Sequence, residues 1–328
     1  MLVGSVAAAT VAAVVGIATA DAGGGHVSLV AYSTPNVAFS KLIPAFQATP
    51  AGQGVSFDQS FGPAETQVNA VVAGQPADIV DLSLPPNVDT LVKAGLVAGN
   101  WNANPYHGIV TRSVVVFVVR NGNPKHLRTW DDLAKKGVQV VTPNPFTSGG
   151  ARWNILAAYG SQLREGKKPK QAVAYLNALF HNVVVQDSSG RNALNTFLSG
   201  KGDVLLTYEN EAILAQQQGK PVHYLIPKAT IRIENPLAVL KSAQQNTAVQ
   251  SFYKFLYTPQ AQNLFAQAGY RPVLKSVAAR YSQQFPIRPE LFTIAYLGGW
   301  NKVTPQFFDP NKGIVARIEQ GLGVSTGG

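Results

Sequence analysis

Residues 142–153 read TPNPFTSGGARW, and 138–141 directly before them read VQVV. The VQVV run suits a short strand, and Pro143 and Pro145 then remove the N–H donors that a sheet ladder needs. Beyond Thr147, Ser148, Gly149 and Gly150, the residues Trp153, Leu156, Ala157 and Gly160 recur at i, i+3, i+4 and i+7, which is one apolar face of a helix. A small hydroxyl residue and two glycines therefore stand where a strand passes into a helix. Ser148 suits the N-cap, and the glycines let a guest approach bare backbone N–H groups. A helix N-terminus has unpaired donors and carries about half a positive charge, so it can hold an anion. Taken alone, S-G-G is equally a capped turn. The rest of the chain decides between the two readings.

Working outward, strand and helix signals alternate. A buried strand over 27–32 runs into Ser33, Thr34 and Pro35. Phe39, Leu42, Ile43 and Phe46 follow at helical spacing, with Thr34 fitting the cap and Pro35 the first helical position. A strand over 55–59, a turn over 60–63, and a helix with Ala64, Val68, Val71 and Val72 on one face come next. A strand over 77–82 and a helix over 88–94 closed at Gly95 complete this part. Such alternation predicts a parallel sheet in an α/β fold. SVVVFVV at 113–119 reads as a strand buried on both faces. Thr129 can cap a short helix over 130–135, and Val173, Leu176 and Phe180 mark another. The strand over 183–185 opens into DSSGR at 187–191, a second glycine-bearing junction. A strand over 203–207 gives way at Tyr208 to a helix whose first turn holds Glu209 and Glu211, where the dipole favours acids. Short strands are expected over 221–226 and 236–240, followed by a helical tail. Ligands of open α/β sheets bind outside the carboxyl ends of the strands, so the junctions at Ser33/Thr34, 60–64, 148–150, Ser189/Gly190 and Tyr208 can face one cleft. Arg152 and Arg191 are the only basic side chains beside them, and both read as supports that orient the junctions or as surface charges. This pattern suits a small dehydrated oxyanion held by dipoles.

Composition narrows the function classes. Residues 1–20 are uncharged and end in Ala18-Thr19-Ala20, like a secretory apolar region with its cleavage site. No Lys or Arg precedes that region, and an uncleaved anchor is the competing reading. The chain has no cysteine, which excludes a lipid-modified N-terminal Cys and a thiol nucleophile and fits export without disulfides. The remaining length suggests two domains. With 46% hydrophobic and 13% charged residues, the chain can bury a large core and is not disordered. The net charge of +10 is scattered; the densest run is Lys167, Lys168 and Lys170, without the aromatic interleaving of a nucleic-acid platform. General attraction of small anions accounts for it, so no nucleic-acid partner is expected. His26, His107, His126, His181 and His223 are dispersed, so neither a metal site nor a cofactor is expected. Ser148 sits in T-S-G-G rather than a G-x-S-x-G elbow, which leaves a surface hydrolase as a remote alternative. The paired carboxylates Asp131-Asp132 and Glu209/Glu211 are explained by helix starts. The chain therefore reads as non-enzymatic.

TPNPFTSGGARWN at 142–154, GDVLLTYENEA at 202–212, RNGNPK at 120–125 and YRP at 270–272 resemble the sulfate-binding proteins of prokaryotic ABC importers, in order from about 28 to about 300. The resemblance implies a two-lobe type II periplasmic-binding-protein fold, with two crossover strands and a cleft between the lobes. Lobe one is expected over 27–112 plus 236–328 and lobe two over 113–235. It further implies a monomer, exported by a signal peptide to the periplasm or another extracytoplasmic location. There it would capture sulfate or thiosulfate with backbone N–H groups at helix N-termini, close its lobes, and deliver the anion to a membrane permease with its ATPase. Carried over by position, Ser148 is a hydroxyl donor, and Gly149, Gly150 and Gly190 are main-chain donors. Ser33 takes the place of a first-loop Asp that acts through its backbone. Two departures bear on the ligand. SFGPAETQ at 60–67 puts Ala64 at a ligand serine, with Glu65 beside it, and Tyr208 replaces a tryptophan donor. An inward Glu65 would repel sulfate and accept a proton from phosphate; the expectation is that it points outward. Phosphate or molybdate is the alternative cargo, raised by Ala64, Glu65 and Tyr208.

Overall fold

Alternating strands and helices dominate from the first described element. The computed structural model describes residues 24–324, and the expected leader over 1–20 lies outside them. Strand β1 (His26–Tyr32) leads through α1 (Asn36–Gln47) to β2 (Ser56–Gly62), and α2 (Ala64–Val72) leads to β3 (Ile79–Asp81) and α3 (Pro85–Lys93). Strand β4 (Ile109–Arg120) carries the chain into a second α/β unit. This holds α4 (Trp130–Leu133), β5 (Val140–Pro143), α5 (Gly149–Arg164), α6 (Pro169–His181), β6 (Val183–Asp187), α7 (Gly190–Leu198), β7 (Val204–Tyr208), α8 (Glu209–Gln217) and β8 (Val222–Leu225). Strand β9 (Ala229–Val239) runs back. After it come α9 (Thr247–Leu256), α10 (Pro259–Gln267), β10 (Arg271–Pro272), α11 (Lys275–Arg280), β11 (Glu290–Phe292), α12 (Trp300–Phe308) and α13 (Ile314–Gly321).

The strands lie in the order β2-β1-β3-β9-β4-β7-β5-β6. β1 pairs in parallel with both β2 and β3, and β5 pairs in parallel with both β6 and β7. The two long strands join these halves. β9 pairs with β3 through Leu237–Val239 and with β4 through 232–236, while β4 continues through 115–119 along β7. These are the two crossovers that the resemblance implies, and the architecture is the expected two-lobe α/β fold.

Several local expectations shift. The strand expected over 113–119 is the inner part of the longer β4, and the one expected over 236–240 overlaps only the last four residues of β9. Arg232 and Glu234 concealed the first half of β9, because they alternate with the buried Ile231 and Ile233 instead of extending an apolar run. Their charges are answered locally: Glu234 accepts from Arg232 at 2.9 Å and pairs with Arg112 at 3.5 Å. Helix α1 is capped by Pro35, one residue later than expected. Thr34 has no capping bond and its hydroxyl instead meets the Tyr270 hydroxyl at 2.9 Å.

Helices cover both faces of each half-sheet. Phe39 and Phe46 of α1, Phe252 of α9 and Phe265 of α10 fill one side of the first, and Val68 and Val71 of α2 with Val88 and Leu91 of α3 fill the other. In the second half, Trp153, Leu156 and Tyr159 of α5 pack over Phe117 and Trp130, and Leu194 and Phe197 of α7 cover the opposite face. Val303 and Phe307 of α12 and Val315 of α13 join the α5 side, and Phe307 meets Tyr159 with ring centroids 4.8 Å apart. Among the described residues, no helix is long and apolar enough to cross a membrane.

Gly160 shows how tightly α5 is seated, since a Cβ there would lie 2.3 Å from Cζ of Phe292. Gly160→Ala is therefore expected to lower the unfolding free energy by about 1–3 kcal/mol through overpacking, despite alanine's better helix propensity. Urea unfolding checks this, and Phe292→Ala in the same chain should relieve the clash.

Candidate functional site

The carboxyl ends of β1, β2 and β3 face those of β5, β6 and β7 across one small cavity. From the first half, Ser33 and Thr34 follow β1, Ala64 opens α2 after β2, and Ser83 follows β3. From the second half come Ser148 and Gly150 after β5, Ser189 and Gly190 after β6, and Tyr208 at the end of β7. Six of the seven residues singled out in the sequence thus line one cavity: Ser33, Ala64, Ser148, Gly150, Gly190 and Tyr208. Gly149 stands just behind the lining. A Cβ on it would lie 2.3 Å from Oγ of Ser83, so glycine is required for α5 to approach the first lobe. Tyr32, Pro143, Asn154 and Thr207 complete the lining, which contains no ionisable acid or base other than phenols.

Local structure explains the donors. Helices α2, α5, α7 and α8 all begin at the cavity, so four helix N-termini, whose first N–H groups have no partner within their own helix, converge there. Ser148 has the extended backbone of an N-cap, yet its hydroxyl makes no capping bond. Ser189 does cap α7, accepting from the Asn192 amide at 3.2 Å. Gly190 has room for a side chain, since a Cβ would reach only Cγ2 of Thr34 at 3.5 Å. Burial pushes the phenols of Tyr32, Tyr208 and Tyr270 up, which keeps them as neutral donors.

The lobes are already in contact around the cavity. Trp153 Nε1 donates to the Ser83 carbonyl at 2.8 Å, and Arg191 Nη2 donates to the Thr34 carbonyl at 3.0 Å. Trp153 is thus buried in the core behind its helix start. Arg191 is held by Glu211 through two bonds of 2.7 and 2.8 Å, so it steers the Thr34 junction rather than facing the cavity. Glu209 is paired in the same two-pronged way with Arg271, at 2.6 and 3.0 Å. The first-turn acids of α8 therefore serve ion pairs as well as the dipole, and Arg271, which lies 62 residues away in the YRP stretch, carried no sequence signal that tied it to Glu209.

Glu65 points outward, as expected. Its Oε1 accepts from Asn87 Nδ2 at 2.9 Å and meets Arg152 Nη2 at 3.1 Å, outside the cavity. Its backbone N–H donates across the cleft to the Thr147 carbonyl at 3.2 Å. One residue thus ties α2 to the opposing junction twice. Among the described residues, no group of three or more His, Asp or Glu could hold a metal ion.

Residues 27–271 match the model of the bacterial extracellular solute-binding protein family. The chain is 42% identical to the sulfate-binding protein of Synechococcus elongatus, over 86% of this chain and 83% of that one. The chain belongs to the sulfate-binding proteins within that family. It is also 32% identical to the thiosulfate-binding protein of Pseudomonas aeruginosa, over 85% and 88% of the two chains. Among solved structures, the sulfate-binding protein SubI of Mycobacterium tuberculosis superposes with a TM-score of 0.84 at 46% identity, covering 87% of this chain and all of that one.

One buried acid lies close behind the site. Asp81 ends β3 at 1% exposure, its Oδ1 has no partner among the described residues, and burial pushes its carboxyl well above the usual range. A raised value means that the folded protein holds the proton more tightly than the unfolded chain. Stability is therefore greatest below the ordinary carboxylate value of about 4 and falls as pH rises towards the folded value. Asp81→Asn is expected to flatten that decline, which unfolding measured across the weakly acidic to weakly basic range checks.

Proposed function

We propose that this protein captures sulfate, or the related thiosulfate, outside the cytoplasm and hands it to an ABC importer. The observation that carries the reading is a cavity without a charged side chain, at which four helix N-termini and several hydroxyls converge. Such a site stabilises a dehydrated dianion with fixed dipoles and N–H donors already in place. The relatives named for sulfate and thiosulfate binding support the same cargo. Ser33, Gly149, Gly150 and Gly190 would contribute main-chain N–H groups, Ser148 a hydroxyl and Ala64 its backbone, and Tyr208 would contribute its phenol by giving up the long 3.4 Å bond to the Ser83 carbonyl.

Phosphate is disfavoured because hydrogen phosphate must donate, and the one nearby carboxylate outside the core, Glu65, is engaged away from the cavity. A mismatched donor in a buried site costs about 1–3 kcal/mol. Release then requires the lobes to part, which breaks the Trp153–Ser83, Arg191–Thr34 and Glu65–Arg152 contacts. Export by cleavage after residue 20, a monomeric state, and docking on a permease with its ATPase complete the proposal.

Calorimetric titration with sulfate, thiosulfate, phosphate and molybdate tests it. Sulfate is expected to bind at micromolar Kd or tighter, about −8 kcal/mol, and phosphate at least tenfold more weakly. Glu65→Gln is expected to leave sulfate affinity unchanged or slightly weaker. A tenfold tightening would mean that the carboxylate acts on the bound anion.

A further inference from the structure

The first-lobe wall of the cavity has alanine at position 64, so α2 offers an amide there and no hydroxyl. Ser83 lines the same wall after β3. It is 1% exposed, and its Oγ has no hydrogen-bond partner among the described residues. The ordinary local uses of a serine hydroxyl are not taken up. Helix α3 is capped by Leu84 and receives no side-chain cap bond. The residue is also fixed in place, because its carbonyl accepts from Trp153 Nε1 at 2.8 Å and Asn235 Nδ2 at 3.2 Å. The hydroxyl abuts the first residue of α5, where a Cβ on Gly149 would lie 2.3 Å from Oγ. A buried hydroxyl that is unpartnered, immobilised and set beside a helix N-terminus is prepared for a guest that accepts hydrogen bonds.

We propose that the Ser83 hydroxyl is a direct donor to the bound oxyanion, filling from β3 the role that Ala64 cannot fill from α2. The proposal rests on the oxyanion reading of the cavity. A hydroxyl provides one donor and no charge, so the site stays free of counter-ions while regaining a hydrogen bond. Ser83 is thereby a binding residue, distinct from Trp153 and Asn235, which position it through its carbonyl.

The test is calorimetry on the full chain with Ser83→Ala, Ala64→Ser and the double variant, each titrated with sulfate, thiosulfate, phosphate and molybdate. Unfolding of each variant without anion reports whether the fold is kept. Ser83→Ala is expected to raise the Kd for sulfate by about tenfold to a hundredfold, the loss of one hydrogen bond to a charged group. Adding Ala64→Ser to it is expected to recover most of that loss, which a packing defect at position 83 would not allow. Ser83→Ala binding within twofold of the parent overturns the proposal, and so does a loss that Ala64→Ser leaves unrescued. If the parent ignores sulfate but binds another of the four anions, the cargo reading fails while a matching loss in Ser83→Ala upholds the donor. If the parent binds none of the four, both readings fall.

Discussion

Three donors meet on the backbone carbonyl of Ser83: Trp153 Nε1 from α5 at 2.8 Å, Asn235 Nδ2 from β9 at 3.2 Å, and the Tyr208 hydroxyl from β7 at 3.4 Å. Two of them come from the second half of the molecule and one from a crossover strand. The turn after β3 is thereby locked to the opposite wall of the cavity. This turn is buried, so losing all three donors together would leave the carbonyl unsatisfied at a cost of about 1–3 kcal/mol. The close approach of α5 and its requirement for glycine at 149 follow from the same contact.

A cavity for an anion without a counter-charge makes demands on everything around it. Charges must be near enough to organise the junctions yet kept out of the lining. The chain meets this by pairing each nearby charge with a partner. Arg191 is held by Glu211, Arg271 by Glu209, and Arg152 by Glu65. Buried pairs of this kind contribute little net stability, because desolvation offsets their attraction, but they fix geometry. Their service here is to set the direction of the Thr34 carbonyl and the Ser148 junction while the field at the cavity remains that of backbone dipoles.

Closure follows from the same economy of contacts. The cross-cleft bonds run through backbone atoms of Thr34, Ser83 and Thr147 and through a few side chains, with the long strands β4 and β9 as the continuous connection. Most of each half-sheet is covered by its own helices, so parting the lobes would break this small set of polar contacts and uncover only the seam where Tyr32, Ala64 and Leu84 pack with the core of the second half.

The sequence alone determined the alternating α/β order, the strand-to-helix junctions, and six of the residues that line the cavity, because these depend on local periodicity and on where serine and glycine follow a strand. It also carried the family resemblance, which TPNPFTSGGARW made specific, and with it the crossover architecture. Tertiary structure decided the rest. The first half of β9 was hidden by Arg232 and Glu234, which pair with each other and, through Glu234, with Arg112 on the neighbouring strand. The orientation of Glu65 depends on Asn87 and Arg152, both distant in the chain. Ser83 gave no local sign of importance, because its turn matters only once α5 and β9 converge on it. Residue type and spacing report short-range preferences, whereas which polar atom is left without a partner in a buried cavity is fixed only by packing from many parts of the chain.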